Sequence, residues 1–231
     1  DTGHHEMGGG PLARRRLKEA KAAAKMAGIE YEVMDIHNGQ LMPTLENRWR
    51  IVRIIREFKP DIVITHRPND YHPDHRYTSQ IVQDSAYTVT IPNVMALTPH
   101  LEHNPVFAYM SDDFQKPCPF EPDVAVSIDG VLDKKIRMLD CHESQFYEWL
   151  PYNHGLAGVP DGAKKRRAWL RDRRAPRFAE VADRHRELLK KFYGGDRGAA
   201  VRHAEAFEIC EYGRRPTARE LRKLFPFFAG N

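Results

Sequence analysis

Between residues 65 and 76 the chain reads Thr-His-Arg-Pro-Asn-Asp-Tyr-His-Pro-Asp-His-Arg, which gathers three histidines and two aspartates into one short stretch. His72 and His75 are three positions apart. At the start of a helix that spacing puts both rings near one face, where they can converge on a point. Pro73 suits the first helical position, which needs no N–H. A neutral imidazole is a good zinc ligand, and a second one beside it can act as an acid or stabilise an oxyanion. Asp70 or Asp74 could hold one ring by a hydrogen bond and fix its tautomer. The plainer alternative is that Asp70 or His72 caps the helix and the other histidines are polar loop residues.

The elements around this loop follow from composition and period. Residues 61–65 (Asp-Ile-Val-Ile-Thr) form a compact apolar run, as expected of a strand in the buried middle of a parallel sheet. The histidine loop would then lie at its carboxyl end and lead into a helix over 73–86. Residues 12–27 are rich in helix formers, and Gly28 stands where a C-terminal cap would. Residues 44–58 carry an amphipathic stripe ended by Pro60. Strands are expected over 30–35, 106–110, 123–128 and 205–212. Further helices are expected over 131–142 and 163–193, the latter interrupted at Pro176. Residues 145–162 read as an aromatic loop. Thr217, with Glu220 three residues on, caps a terminal helix over 218–224. The alternation predicts an α/β fold: a Rossmann-like, mostly parallel sheet with helices on both faces. With 231 residues, 41% of them apolar, one domain over 1–231 is expected. Residues 145–200 would be an aromatic and basic helical insertion or C-terminal extension.

Charge is unevenly spread. Residues 164–177 hold eight Lys and Arg against Asp172, while the whole chain carries only +4. The basic character therefore belongs to one segment. Aromatic interleaving there is thin (Trp169 and Phe178), so a solvated helix face is favoured and nucleic acid is not the expected partner. Cys118, Cys141 and Cys210 are far apart and form no CxxC pair, which fits a reducing, cytoplasmic setting. No apolar run approaches the roughly eighteen residues of a membrane span. Gly8-Gly9-Gly10 has the spacing of no phosphate loop. His142 with Ser144 lacks the strained elbow of a serine nucleophile.

The stretch Ile62–His66 followed by Asp70-Tyr71-His72-Pro73-Asp74-His75 resembles the second signature of the LmbE/PIG-L family of zinc-dependent de-N-acetylases. Other segments agree in order. Arg16-x-x-Glu19 before Ala27-Gly28 resembles the family's Arg-x-x-Glu helix. Pro122-Asp123-Val124, Lys134 or Lys135, and His142-Glu143-Ser144-Gln145 resemble a later stretch, and Ala204-Glu205-Ala206-Phe207 a last one. The resemblance implies that His75 is a zinc ligand. It implies that His72 is the general acid or the oxyanion stabiliser, and that Asp74 orients and tunes His72. Arg16 would bind substrate, and Asp70 and Tyr71 would line the pocket. Asn38 falls where the family often has an Asp that contacts sugar hydroxyls.

One departure stands out. The family's Ala-His-Pro-Asp-Asp signature, which supplies two further zinc ligands and the general base, is absent. The opening Asp1-Thr2-Gly3 is similar to the turn that follows it, so a chain lacking that strand, loop and helix is expected. His4 and His5 are weaker candidates to replace those ligands, since adjacent residues seldom point at one metal.

The implied function is a hydrolase dependent on zinc or another divalent metal. It would remove the acetyl group from an N-acetylglucosamine-type conjugate, a small amino-sugar molecule, by amide C–N hydrolysis that releases acetate. One alternative is a zinc amidase acting on a sugar–thiol conjugate. Another is a noncatalytic Rossmann-like module that docks an anionic partner through residues 164–177. A homo-oligomer is left open.

Overall fold

The structure, a computed structural model, describes residues 1–228. It is α/β. In chain order the elements are α1 (Gly9–Ala27), α2 (Leu45–Phe58), β1 (Ile62–Thr65), α3 (Pro73–Thr88), β2 (Val106–Met110), β3 (Val124–Ser127), α4 (Leu132–Asp140), a π-helical turn (Ser144–Trp149), α5 (Leu150–Asn153), α6 (Ala163–Arg184), α7 (Arg186–Tyr193), α8 (Gly195–Ala200), β4 (Ala204–Gly213) and α9 (Ala218–Leu224). They fall into two compact units. The first comprises residues 1–38, 127–184 and 202–204, and the second comprises 39–126, 185–201 and 205–231.

The second unit carries the sheet, in the order β1-β2-β4-β3. β1 and β2 are parallel, with Ile62 beside Val106 and Thr65 beside Tyr109. β2 and β4 are antiparallel, with Ala108 beside Ile209 and Met110 beside Phe207. The sheet is therefore mixed rather than mostly parallel. β1, expected in the middle, is an edge strand, and Ile64 is 41% exposed. The β2–β4 ladder is irregular near Val106, opposite Gly213. Gly213 has φ +76°, and a Cβ there would lie 2.4 Å from the Phe107 ring, so only glycine fits the bulge. The core of this unit joins Val52 and Ile55 of α2, Val82 and Ala86 of α3, and Phe107 and Cys210 of the sheet.

Arg56 anchors that core. Its side chain is buried, yet it makes no ion pair among the described residues. Nε donates to Val89 O (3.0 Å), Nη1 to Val94 O (2.7 Å) and Thr98 O (2.9 Å), and Nη2 to Thr88 O and Ile91 O (both 2.9 Å). The guanidinium thus satisfies carbonyls that the end of α3 and the turn after it leave without helical partners.

In the first unit α1 ends at Gly28 in the left-handed region (φ 77°), as its sequence requires. Leu132 and Ile136 of α4 pack with Ala175 and Phe178 of α6. Because that packing flanks Pro176 on both sides, α6 runs through the proline, and the interruption comes after Arg184 instead. Residues 145–162 are not all loop, since a π-helical turn and α5 occupy 144–153. The strand expected over 30–35 does not form. Ile29, Tyr31 and Val33 are more than half exposed and no ladder pairs them; an extended segment becomes a strand only when a neighbour takes its hydrogen bonds.

Candidate metal centre

β1 delivers its last residue, Thr65, to a loop that folds back onto the start of α3. His72 is the N-cap of α3 and Pro73 the first helical residue. Asp70 is buried, and its Oδ1 accepts the His72 N–H at 2.9 Å and also meets His75 Nδ1 at 2.9 Å. A carboxylate can only accept, so the proton of that second bond sits on Nδ1, and a cation shared by Asp70 and His75 would take that proton's place. The Arg76 side chain donates to Asp70 O (2.7 Å) and Tyr71 O (3.1 Å), closing the loop.

His66 stacks on His75, with ring centroids 4.1 Å apart and planes 3° from parallel. Burial pulls the His66 pKa below the ordinary histidine value, and the neighbouring His75 adds to the shift. Both effects keep the imidazole neutral and its lone pair available. One ligand atom each from His66, Asp70 and His75 lies within 4.8 Å of the other two. Two imidazoles and a carboxylate are the donor set of many catalytic zinc sites, so the residues present fit a divalent cation of that type.

His72 lies beside this cluster, 4.9 Å from His75 between centroids. Its Nδ1 accepts the Asp74 N–H at 3.2 Å, so in the neutral ring the proton belongs to Nε2. Capping and chemistry are therefore not alternatives at His72: the cap fixes the tautomer that can donate. Asp74 Oδ2 is 3.9 Å from His72 Nδ1, beyond a hydrogen bond. The Asp74 carboxylate instead accepts the N–H groups of Gly39 (2.7 Å) and Leu41 (3.2 Å), tying the 39–41 turn to the start of α3. Tyr71 is 68% exposed and sets its ring edge-on to both His72 and His75.

Sequence reasoning gave His66 no role, and it missed Arg67 and Asp112. The Arg67 side chain is buried. It donates to Asp112 Oδ1 (2.8 Å), Phe114 O (2.6 Å) and Cys118 O (2.7 Å), clasping the 112–118 loop to the histidine loop. Asp112 Oδ2 is buried without a partner among the described residues, and the Asp112 charge acts on His66. The density of histidines was a signal for His66. Nothing local pointed to Asp112, because β1–β2 pairing and the Arg67 clasp bring together segments far apart in sequence.

Arg16 and Asn38 belong to the first unit. Arg16 donates to Gln145 Oε1 (2.7 Å) and to Gly3 O, with Ser144 Oγ at 3.4 Å. Ser144 in turn donates its N–H and Oγ–H to the Glu19 carboxylate (2.9 and 2.7 Å). The Arg-x-x-Glu helix and the His-Glu-Ser-Gln stretch thus form one hydrogen-bonded unit, and Ser144 is spent on it. Asn38 bonds Thr2 Oγ1 (2.9 Å) and Asp1 Oδ1 (3.1 Å). His4 uses both ring nitrogens, Nε2 on Glu148 (2.8 Å) and Nδ1 on the Glu6 and Met7 N–H groups (3.1 and 3.2 Å).

Residues 1–86 match the PIG-L family, described as GlcNAc-PI de-N-acetylase. Residues 1–86 carry PIG-L family sequence. The chain is 31% identical over 167 residues to a diacetylchitobiose deacetylase of Thermococcus kodakarensis, covering 66% of the chain and 59% of the relative. It is 25% identical over 148 residues to a 4-oxalmesaconate hydratase of Pseudomonas putida, covering 64% and 57%. The chain thus spans just under three fifths of the length of these curated relatives. Among solved structures, a 4-carboxy-2-hydroxymuconate hydratase from Pseudomonas putida superposes with TM-score 0.66 at 18% identity, over 92% of this chain and 77% of that one. An N,N'-diacetylchitobiose deacetylase from Pyrococcus horikoshii superposes with TM-score 0.60 at 22% identity, over 86% and 64%. These two likenesses establish the chain's fold. Among the described residues no helix is long and apolar enough to cross a membrane.

Proposed function

We propose that this chain holds a divalent metal, with zinc the best match to its donors, and takes part in hydrolysing the N-acetyl group of an N-acetylglucosamine-type conjugate. One observation carries the reading: His66, Asp70 and His75 offer converging ligand atoms at the carboxyl end of β1. The deacetylase relative supports the substrate class. A cation held there would polarise an amide carbonyl and make water a better nucleophile.

The remaining work falls to the chain's own side chains. Asp70 and His75 already face each other at hydrogen-bond distance, so a cation would enter between them by displacing the proton they share. His72, with Nδ1 occupied by the Asp74 amide, presents Nε2–H. That donor suits the developing oxyanion, or proton transfer to the departing amine. Asp74 acts as a positioning residue through the 39–41 turn, and exposed Tyr71 borders the sugar.

The test uses purified chain loaded with zinc and given diacetylchitobiose, with acetate release as the readout. Acetate release that disappears on chelation and returns with zinc supports the reading. Full turnover in metal-free protein overturns it. A chain that binds zinc and hydrates an oxalomesaconate-type acid instead would overturn the substrate assignment alone.

A further inference from the structure

Within the first unit a cavity of about 460 Å³ opens between the π-helical turn, α5 and α6. Phe146 and Leu150 line it from one side of the sequence, Trp169, Asp172, Arg173 and Arg174 from the other. The arginines are unlike their neighbours on the same helix. Arg166, Arg167 and Arg171 each pair with a carboxylate, Glu143, Asp140 and Asp133 respectively. Arg173 and Arg174 have no carboxylate partner among the described residues; each guanidinium lies over a ring instead, 4.5 Å from Trp169 and 4.8 Å from Phe146. Arg174 is also half-buried, and burial lowers its pKa, with the Arg177 charge adding to the effect.

A partly desolvated cation without a counter-charge is costly, and a ring face offsets only part of that cost. A guanidinium fork is shaped for a carboxylate. With Asp172 the acid in the lining, the cavity's formal charge is that of one excess cation, which suits a monoanion. The Phe146 turn is π-helical, a geometry that recurs at functional sites because the inserted residue re-aims a side chain.

We propose that this cavity binds a small amphipathic monocarboxylate, its carboxylate on Arg174 and its apolar or aromatic body against Phe146, Leu150 and Trp169. The site is independent of the metal centre and of the function proposed for it.

The test is titration calorimetry of the whole chain with phenylacetate, set against benzyl alcohol, acetate and phenyl phosphate. Trp169 emission serves as a second readout, assigned with Trp169→Phe. Phenylacetate should saturate one site per chain and shift Trp169 emission, and the other three probes should bind at least about tenfold more weakly. Arg174→Gln should weaken phenylacetate at least about tenfold, while Arg171→Gln, which removes the same charge from the same helix, should leave its affinity unchanged. Absence of saturable binding overturns the proposal. So does benzyl alcohol or acetate binding as tightly as phenylacetate, or equal weakening by the two variants. Phenyl phosphate binding more tightly overturns the carboxylate assignment. If Arg174→Gln fails to fold, the probe ranking on wild-type Trp169 emission decides the matter.

Discussion

The histidine loop of the second unit and helix α6 of the first both concentrate ionisable side chains, and they dispose of them differently. In the loop, the polar groups hold one another through backbone caps and the Asp70 carboxylate, and ligand atoms of His66, Asp70 and His75 are left close together. On α6, Arg166, Arg167 and Arg171 are consumed by acids at and just after α4. Three of the eight cations in residues 164–177 are therefore neutralised in place. Density of charged residues marks both regions. What distinguishes them is the set of groups left without a protein partner.

Substitutions should separate the two regions by size of effect. His72→Ala should lower acetate release about 10²- to 10³-fold, as loss of a positioned donor does, while bound metal stays at the wild-type level. Loss of the metal along with activity would make His72 a structural cap. Arg56→Met removes the donors of Val94 O and Thr98 O and a second donor from Thr88 O, Val89 O and Ile91 O, and should cost about 3 kcal/mol in urea unfolding. A change below about 1 kcal/mol would mean the turn finds other donors.

A smaller effect is expected at Asp129. Burial opposes its charge, but the Arg202 N–H and the His203 ring and N–H hydrogen-bond it and bring its pKa below the ordinary carboxylate value. Its stabilisation is therefore complete above the unfolded value, near about 3.9, and disappears as pH falls through the folded value. Wild-type protein should lose stability more steeply than Asp129→Asn on acidification below about pH 4; parallel curves would contradict this. The smallest effect belongs to Arg171→Ala on α6. That exposed pair should contribute within about 0.5 kcal/mol and fade with added salt. A larger, salt-independent loss would mean that α6 is held by its charges rather than by Leu132, Ile136 and Phe178.

Local rules located much of this. Gly28 and the Thr217–Glu220 box mark helix ends where the structure has them. The 62–65 strand and the Pro73 helix start were readable from composition and punctuation alone. Pairing was not readable. The apolar run at β1 looks central because its residues are apolar, yet only β2 joins it, and 30–35 has strand-like residues without a ladder. The metal cluster was half legible. His75 is marked by its spacing from His72 and, through the family resemblance, as a ligand, and Asp70 only as a ring-holding or pocket-lining residue, whereas His66 joins because the loop folds back and stacks its ring on His75. Asp112 comes from a segment more than forty residues away and was out of reach of any local pattern.

Zinc stoichiometry after loading and dialysis tests the central claim most directly, read on wild-type, His66→Ala and His75→Ala chains that retain the wild-type far-UV spectrum. The convergence of His66, Asp70 and His75 predicts one ion per wild-type chain and its loss in both variants. A wild-type chain that retains no ion, or a His75→Ala chain that retains one, would contradict it.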